Sequence, residues 1–179
     1  MPARDICIRT RELADLDGCV AALAPVHASG GYPTNWPVDP RRWLTPSGTI
    51  HGWVAASEGL IVGHSILRQP SFSTVSHSAA ELSRLFVTPA ARRKGIAAAL
   101  MQATMRWAAA KDLDLELEVT DHSQAARALY ERSGFRLIDT KQADWTAPNG
   151  APVTLHHYAW SRDRSLTAAQ KLRASSMRC

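Results

Sequence analysis

The sequence predicts a single α/β (α+β) domain built on one mixed, mostly antiparallel sheet of about seven strands flanked by about four helices. Three observations carry that expectation. Period-2 and period-3.6 apolar patterns alternate along the chain in the order strand, helix, loop, three strands, helix, strand, helix, two strands. The 179 residues, 45% hydrophobic and 21% charged, suffice for one sizeable core and hold no internal repeat. Finally, a strand ending at Val87 passes through Thr88-Pro89 into a basic, glycine-containing helix start at Arg92-Arg93-Lys94-Gly95-Ile96-Ala97-Ala98.

The elements follow in order. Ile6-Cys7-Ile8-Arg9 reads as a short strand. Asp15 is placed to cap a helix whose apolar stripe is Leu16, Cys19, Val20, Leu23 and Val26, with Pro25 expected to shorten or kink its end. From His27 to Gly48 the chain carries Gly30-Gly31, Pro33, Pro37, Pro40 and Pro46, so a loop is expected, with a short helix near Asp39 to Leu44. Tyr32, Trp36 and Trp43 in that loop either pin it to the core or line a pocket. Ile50 to Ala56 and Leu60 to Leu67 form a hairpin turned at Ser57-Glu58-Gly59, and Gln69 to Ser78 is a polar loop.

Glu81 to Val87 is the third strand of this meander. Ile96, Leu100 and Ala103 then define a helix reaching about Lys111. Leu113 to Thr120 alternates strictly, so its acidic face is either solvated or shared with a basic partner. Asp121-His122-Ser123 offers a cap for a helix carrying Ala126, Leu129, Tyr130 and Ser133, closed by a left-handed Gly134. Phe135 to Ile138 and Val153 to Trp160 complete the sheet around a Pro148-Asn149-Gly150 turn. His122 is a turn residue with no evident role.

Charge and cysteine usage narrow the classes. From Ser161 onward five basic residues face Asp163, a net +4 of the overall +5, so residues 1–160 are near neutral and the excess sits in a basic tail, 161–179. That distribution argues against a nucleic-acid-binding body and fits a solvated, flexible extension. No apolar run is long enough to span a bilayer, and the Met-Pro-Ala-Arg-Asp start lacks a signal-peptide core. Cys7, Cys19 and Cys179 are odd in number without metal-ligand spacing, which fits free thiols in a reducing cytoplasm and no metal. Gly-x-x-x-x-Gly-Lys, Gly-x-Gly-x-x-Gly, Gly-x-Ser-x-Gly and His-Glu-x-x-His motifs do not occur.

The helix start at Gly95 is suited to an anion. Its first amides have no intrahelical acceptor, the helix dipole makes that end positive, and Gly95 and Ala97 let a phosphate approach the backbone. Arg92-x-x-Gly95-x-Ala97 after Leu85-Phe86-Val87 resembles the acyl-CoA-binding motif of the GNAT superfamily of N-acetyltransferases. Ala126-x-x-Leu129-Tyr130-x-x-x-Gly134-Phe135 is similar to that family's second motif. The likeness covers about Ile6 to Trp160 and departs at Ser123, where the family usually has asparagine, so one polar contact to the pantetheine arm is at issue.

The resemblance implies a sheet splayed at its centre, acetyl-CoA as acyl donor, and an amine of a small molecule or peptide as acceptor, attacked directly at the thioester. The pantetheine arm would pair with Leu85, Phe86 and Val87, and the pyrophosphate would rest on the amides from Arg93 to Ala98 with Arg92, Arg93 or Lys94 neutralising it. Tyr130 would protonate the leaving thiolate and Glu81 would accept the amine proton. His51 and His64 are alternative bases, Tyr32, Trp36, Trp53 and His64 are candidates for the acceptor wall, and His156-His157 alternate faces so that only one points inward. Family members often pair as dimers. A non-catalytic acyl-CoA sensor with the same cradle is the alternative.

Overall fold

The computed structural model describes residues 6–70, 78–121 and 123–162; His122, Cys179 and nearly all of the basic tail lie outside the described residues. The described residues form seven strands and four α-helices: β1 (Ile6–Thr10), α1 (Leu16–Gly30), α2 (Pro40–Leu44), β2 (Thr49–Ser57), β3 (Leu60–Arg68), β4 (Ala79–Val87), α3 (Ile96–Ala110), β5 (Asp114–Thr120), α4 (Gln124–Arg132), β6 (Arg136–Thr146) and β7 (Pro152–Trp160). They form one sheet in the order β1-β2-β3-β4-β5-β7-β6. Only β4 and β5 run parallel. The expected fold class is the observed one.

Two cores lie on opposite faces. Trp53, Leu82, Val87, Leu100, Met101, Leu115, Leu117, Val119, Tyr130 and Phe135 bury under α3 and α4. Val54 and Phe86 bury with Leu16, Cys19, Leu23, Val26 and Leu44 under α1 and α2. In β2 burial follows strand alternation, with neighbours such as Trp53 and Val54 pointing to opposite faces, whereas in β4 Leu82 and Val87 share one core.

Local chemistry explains most boundaries. The β2–β3 hairpin closes on Glu58 and Gly59, both at positive φ (52° and 77°), the pairing a two-residue turn needs to match strand twist. Asp39 caps α2, accepting from the Arg42 N–H at 3.0 Å, with Pro40 in the first turn. Gly134 (φ 93°) ends α4, as its position in the sequence implies.

Two expectations are corrected. Pro25 does not shorten α1, which continues to Gly30, since Val26 is anchored in the core at 3% exposure. Asp15 makes no side-chain cap on α1; its carboxylate takes both guanidinium arms of Arg9 at 2.7 Å and the Glu12 N–H at 2.7 Å, closing a 3-10 turn at Leu13–Asp15.

What positions the site is the way β4 leaves β5. Their parallel pairing covers only Ala79↔Asp114, Ala80↔Leu115 and Glu81↔Glu116. From Leu82 to Val87, β4 has no β5 partner, and β5 beyond Glu116 pairs only with β7. A bulge bends β4 at that point. His64 faces Phe86 and Ile66 faces Ser83, so Ser65 opposes both Arg84 and Leu85. Arg84 takes the left-handed conformation there (φ 55°), which a non-glycine residue adopts only when its surroundings hold it.

Candidate active site

The first half of the site is the start of α3. Gly95 occupies the cap position at φ 76°, and Arg93 is also left-handed at φ 62°. The first intrahelical bond runs from the Ala99 N–H to the Gly95 carbonyl at 2.9 Å, so the amides of Ile96, Ala97 and Ala98 precede the ladder. No acidic residue lies in this first turn and no side chain caps it. A Cβ at Gly95 would meet nothing within 4 Å, which leaves open space above the turn. Arg92, Arg93, Lys94 and Gly95 are exposed around it, and the Arg92 Nε donates to the Val87 carbonyl at 3.4 Å. Open amides, a positive dipole end and three basic side chains suit a pyrophosphate.

The second half is the gap between β4 and β5. Leu85 and Val87 face the α3 side, and Phe86 faces α1 and α2. Tyr130 on α4 packs beneath the gap against Phe135 and Tyr158, with ring centroids at 6.1 and 6.3 Å. Burial raises the pKa of its phenol strongly, and the phenol of Tyr32 raises it further, so Tyr130 stays protonated at neutral pH. Tyr32 comes from the opposite face, on the loop between α1 and α2, and burial pushes it to about 12 while the charge of Arg84 acts the other way.

Ser123 holds the position before α4 but does not cap it. Its hydroxyl lies 3.3 Å from the Thr120 hydroxyl, while its carbonyl accepts from the Arg127 N–H at 3.0 Å. Ala126 packs against the core below Tyr130.

Acidic groups line the face of the gap opposite Tyr130. Glu81 sits at the last β4–β5 pair and bonds Arg68 at 3.0 Å. Glu116, paired across from it, is buried with His157 at 3.0 Å. Glu118, two residues beyond the last β4–β5 pair, bonds Lys141 at 2.6 Å. The acidic face of β5 is thus shared with basic partners. His157 is the inward member of the His156-His157 pair.

His64 is fully buried and stacked on Phe86 at 5.3 Å. Its Nδ1–H donates to the Arg84 carbonyl at 2.9 Å, and its Nε2 accepts from the Arg11 guanidinium at 2.8 Å. Burial pushes its pKa down to about 3, against the pull of the bond to the Arg84 carbonyl and helped by the charges of Arg11 and Arg84. Neutral, and with both nitrogens engaged, His64 holds the bulge rather than facing an acceptor. His51 is likewise committed, stacked on Trp107 at 5.0 Å beside Trp53 on the α3 side.

The aromatic wall divides. Tyr32 and Trp43 meet edge to face at 5.9 Å on the α1 and α2 side. Trp36 lies in the same loop, 41% exposed and 5.3 Å from the His27 ring. Trp53 is 5% exposed beneath α3 and cannot join them, because strand alternation turns it to the other face. Arg84, which the sequence does not single out, lies with its guanidinium 4.1 Å over the Trp43 ring.

Comparison with known proteins agrees with this geometry. The profile of the Acetyltransferase (GNAT) family matches residues 21–135. The chain belongs to that family. No curated protein sequence matches it. Among solved structures, the ribosomal-protein-S18-alanine N-acetyltransferase of Escherichia coli is similar at a TM-score of 0.71 and 20% identity, covering 89% of this chain and 96% of that one. A putative phosphinothricin N-acetyltransferase aligns at a TM-score of 0.73 and 22% identity, over 89% of this chain and 100% of that one. A GCN5-related N-acetyltransferase from Kribbella flavida aligns at 0.68 and 25%, over 87% and 97%. These likenesses establish the fold, and family and fold together are those of an acyltransferase.

Proposed function

We propose that the protein transfers an acetyl group from acetyl-CoA to an amine by direct attack on the thioester. The observation that carries this reading is the joining of an open amide turn at Gly95 to an unpaired stretch of β4 that ends over Tyr130. The residues fit the donor. Ile96, Ala97 and Ala98 amides with Arg92, Arg93 and Lys94 would hold its pyrophosphate, and the β5-facing backbone of Leu85, Phe86 and Val87 would pair with its pantetheine arm, as a peptide adds to a sheet edge. Ser123 and Ala126 would flank that arm from α4. When bound, acetyl-CoA supplies an activated acyl carbon.

The residues then have distinct tasks. Tyr32 and Trp36 would position the acceptor on the α1 and α2 side, which is where effective concentration is gained. The neutral amine forms its bond to the acetyl carbon as the carbon–sulfur bond breaks. Its surplus proton passes to a carboxylate on the acceptor face, and the protonated phenol of Tyr130 returns a proton to the departing sulfur. Glu81 serves as base through water from the closed end of the gap. Glu118 is the competing assignment, favoured by its place on the part of β5 that β4 has left. Catalysis otherwise rests on placement and on polar groups already aimed at the gap.

The test is release of coenzyme A from acetyl-CoA across a panel of amines, with the acetylated product identified by mass. Amine-dependent release supports transfer. Tight acetyl-CoA binding without turnover on any amine points instead to an acyl-CoA sensor. The Gln variants of Glu81 and Glu118 assign the base, since loss of the true base lowers kcat strongly while loss of the other leaves it nearly unchanged.

A further inference from the structure

The bulge that opens the sheet also places one cation with no ion-pair partner among the described residues. Arg84 sits on β4 between Ser83 and Leu85, and its side chain crosses to the α1 and α2 face, flat over Trp43 at 4.1 Å. Its Nε–H donates to the Trp43 carbonyl at 3.1 Å and its Nη1 to the Ser83 hydroxyl at 3.3 Å. A guanidinium carries five N–H donors in a planar fork; these two bonds use one on Nε and one on Nη1, and among the described residues no bond engages Nη2. Among the described residues no carboxylate forms an ion pair with Arg84; its acidic neighbour Glu81 is bonded to Arg68 at 3.0 Å.

The electrostatics agree with that geometry. Burial lowers the pKa of Arg84, the Tyr32 phenol raises it, Arg68 lowers it and Glu81 raises it. A desolvated cation in such company favours a fixed anion. Arg84 is also joined to the reacting region on two sides. Tyr32, which acts on Arg84, also acts on the phenol of Tyr130 at the gap. The carbonyl of Arg84 is held by the buried His64, which fixes the bulge and with it the direction of the side chain.

We propose that the acceptor is an amine that carries a carboxylate close to its nitrogen, of the free amino-acid class, and that Arg84 binds this carboxylate through the Nη2 end of its guanidinium. Planar carboxylate and planar fork match in a two-bond arrangement that an ammonium or a neutral amide does not reproduce. Trp43 lies beneath the guanidinium and Tyr32 packs edge to face on Trp43, so a carboxylate bound there would carry its side chain past aromatic surface, which suits an apolar amino acid. The position of the amine rests on the acetyl-transfer reading; the selectivity for a carboxylate does not.

The experiment therefore has two arms on the full chain. In the first, L-methionine and L-phenylalanine are compared with their primary amides as acceptors by kcat/KM, in the parent, Arg84→Lys and Arg84→Gln. The parent should prefer at least one acid over its amide, and Arg84→Gln should lower kcat/KM for that acid by about 10- to 100-fold, chiefly through KM, while the amide changes by less than about threefold. Arg84→Lys keeps the charge and should recover only part of the loss. In the second arm, binding of N-acetyl-L-methionine and of its amide is measured by thermal stabilisation with coenzyme A present, which needs no turnover.

Selective binding of the acid without turnover on any amine would sink the transfer reading and leave Arg84 as a carboxylate site. An amide turned over as well as its acid, or equal losses for both in Arg84→Gln, would make Arg84 a structural tie to α2 and overturn the proposal. So would the absence, in both arms, of any carboxylate ligand preferred over its amide. The parent comparison holds even if Arg84→Gln fails to fold.

Discussion

Replacing His64 with glutamine tests how the bulge is held. In the folded protein His64 is buried, donates to the Arg84 carbonyl at 2.9 Å and accepts from Arg11 at 2.8 Å. Its pKa falls from 6.5 to about 3. A depressed pKa means that the folded state resists a proton which the unfolded chain accepts. The stability this neutral histidine provides is complete above pH 6.5 and is lost progressively as the pH falls toward 3. Between about pH 7 and about pH 5 the unfolded chain gains that proton and the folded chain does not, a loss of about 2 kcal/mol. His64→Gln should lose about 1–3 kcal/mol at pH 7, because a glutamine restores only part of the hydrogen bonding. Its further loss on going to pH 5 should be about 2 kcal/mol smaller than that of the parent. Urea unfolding at both pH values measures the difference, and contributions common to both proteins cancel. Equal acid losses in parent and variant would refute the neutral, doubly bonded His64.

Other perturbations separate cradle, chemistry and wall. Tyr130→Phe should leave acetyl-CoA binding intact and lower kcat by about a hundredfold, the lower range for loss of a positioned acid; an unchanged kcat would remove Tyr130 from proton transfer. Gly95→Glu should abolish stabilisation by acetyl-CoA, because the position is at φ 76° and the new carboxylate would stand in the space above the open amides. Trp53→Ala should cost about 3–5 kcal/mol as a core truncation. Trp36→Ala, at an exposed position, should leave stability nearly unchanged and raise the acceptor KM; the reverse pattern in the two tryptophans would invert their placement.

The parts of this site that could be read from the chain are those governed by local rules. Gly95 announces a helix start open to an anion, the alternation from Leu113 to Thr120 announces a half-buried strand, and the Ala126 to Phe135 pattern sets the helix that carries Tyr130. What escaped depends on which strand meets which. Trp53 and Val54 must point to opposite faces, but only the packing of α3 decides that Trp53 is the one turned away from Tyr32. Glu116 and His157 are 41 residues apart and meet through the β5–β7 register. Arg84 gives no local signal, because a left-handed arginine in a bulge arises from the β3–β4 mismatch and the bond from His64 rather than from turn chemistry. Pro25 shows the same priority in reverse, a helix breaker overridden by the anchorage of Val26.

The central claim is that the Gly95 turn and the β4–β5 gap act together to deliver an acetyl group to an amine. Coenzyme A release from acetyl-CoA, followed with and without amine and paired with mass identification of the product, tests it most directly. The account predicts release that depends on the amine, an acceptor heavier by one acetyl group, and loss of both in Gly95→Glu. Acetyl-CoA that neither stabilises the protein nor is consumed with any amine would contradict it.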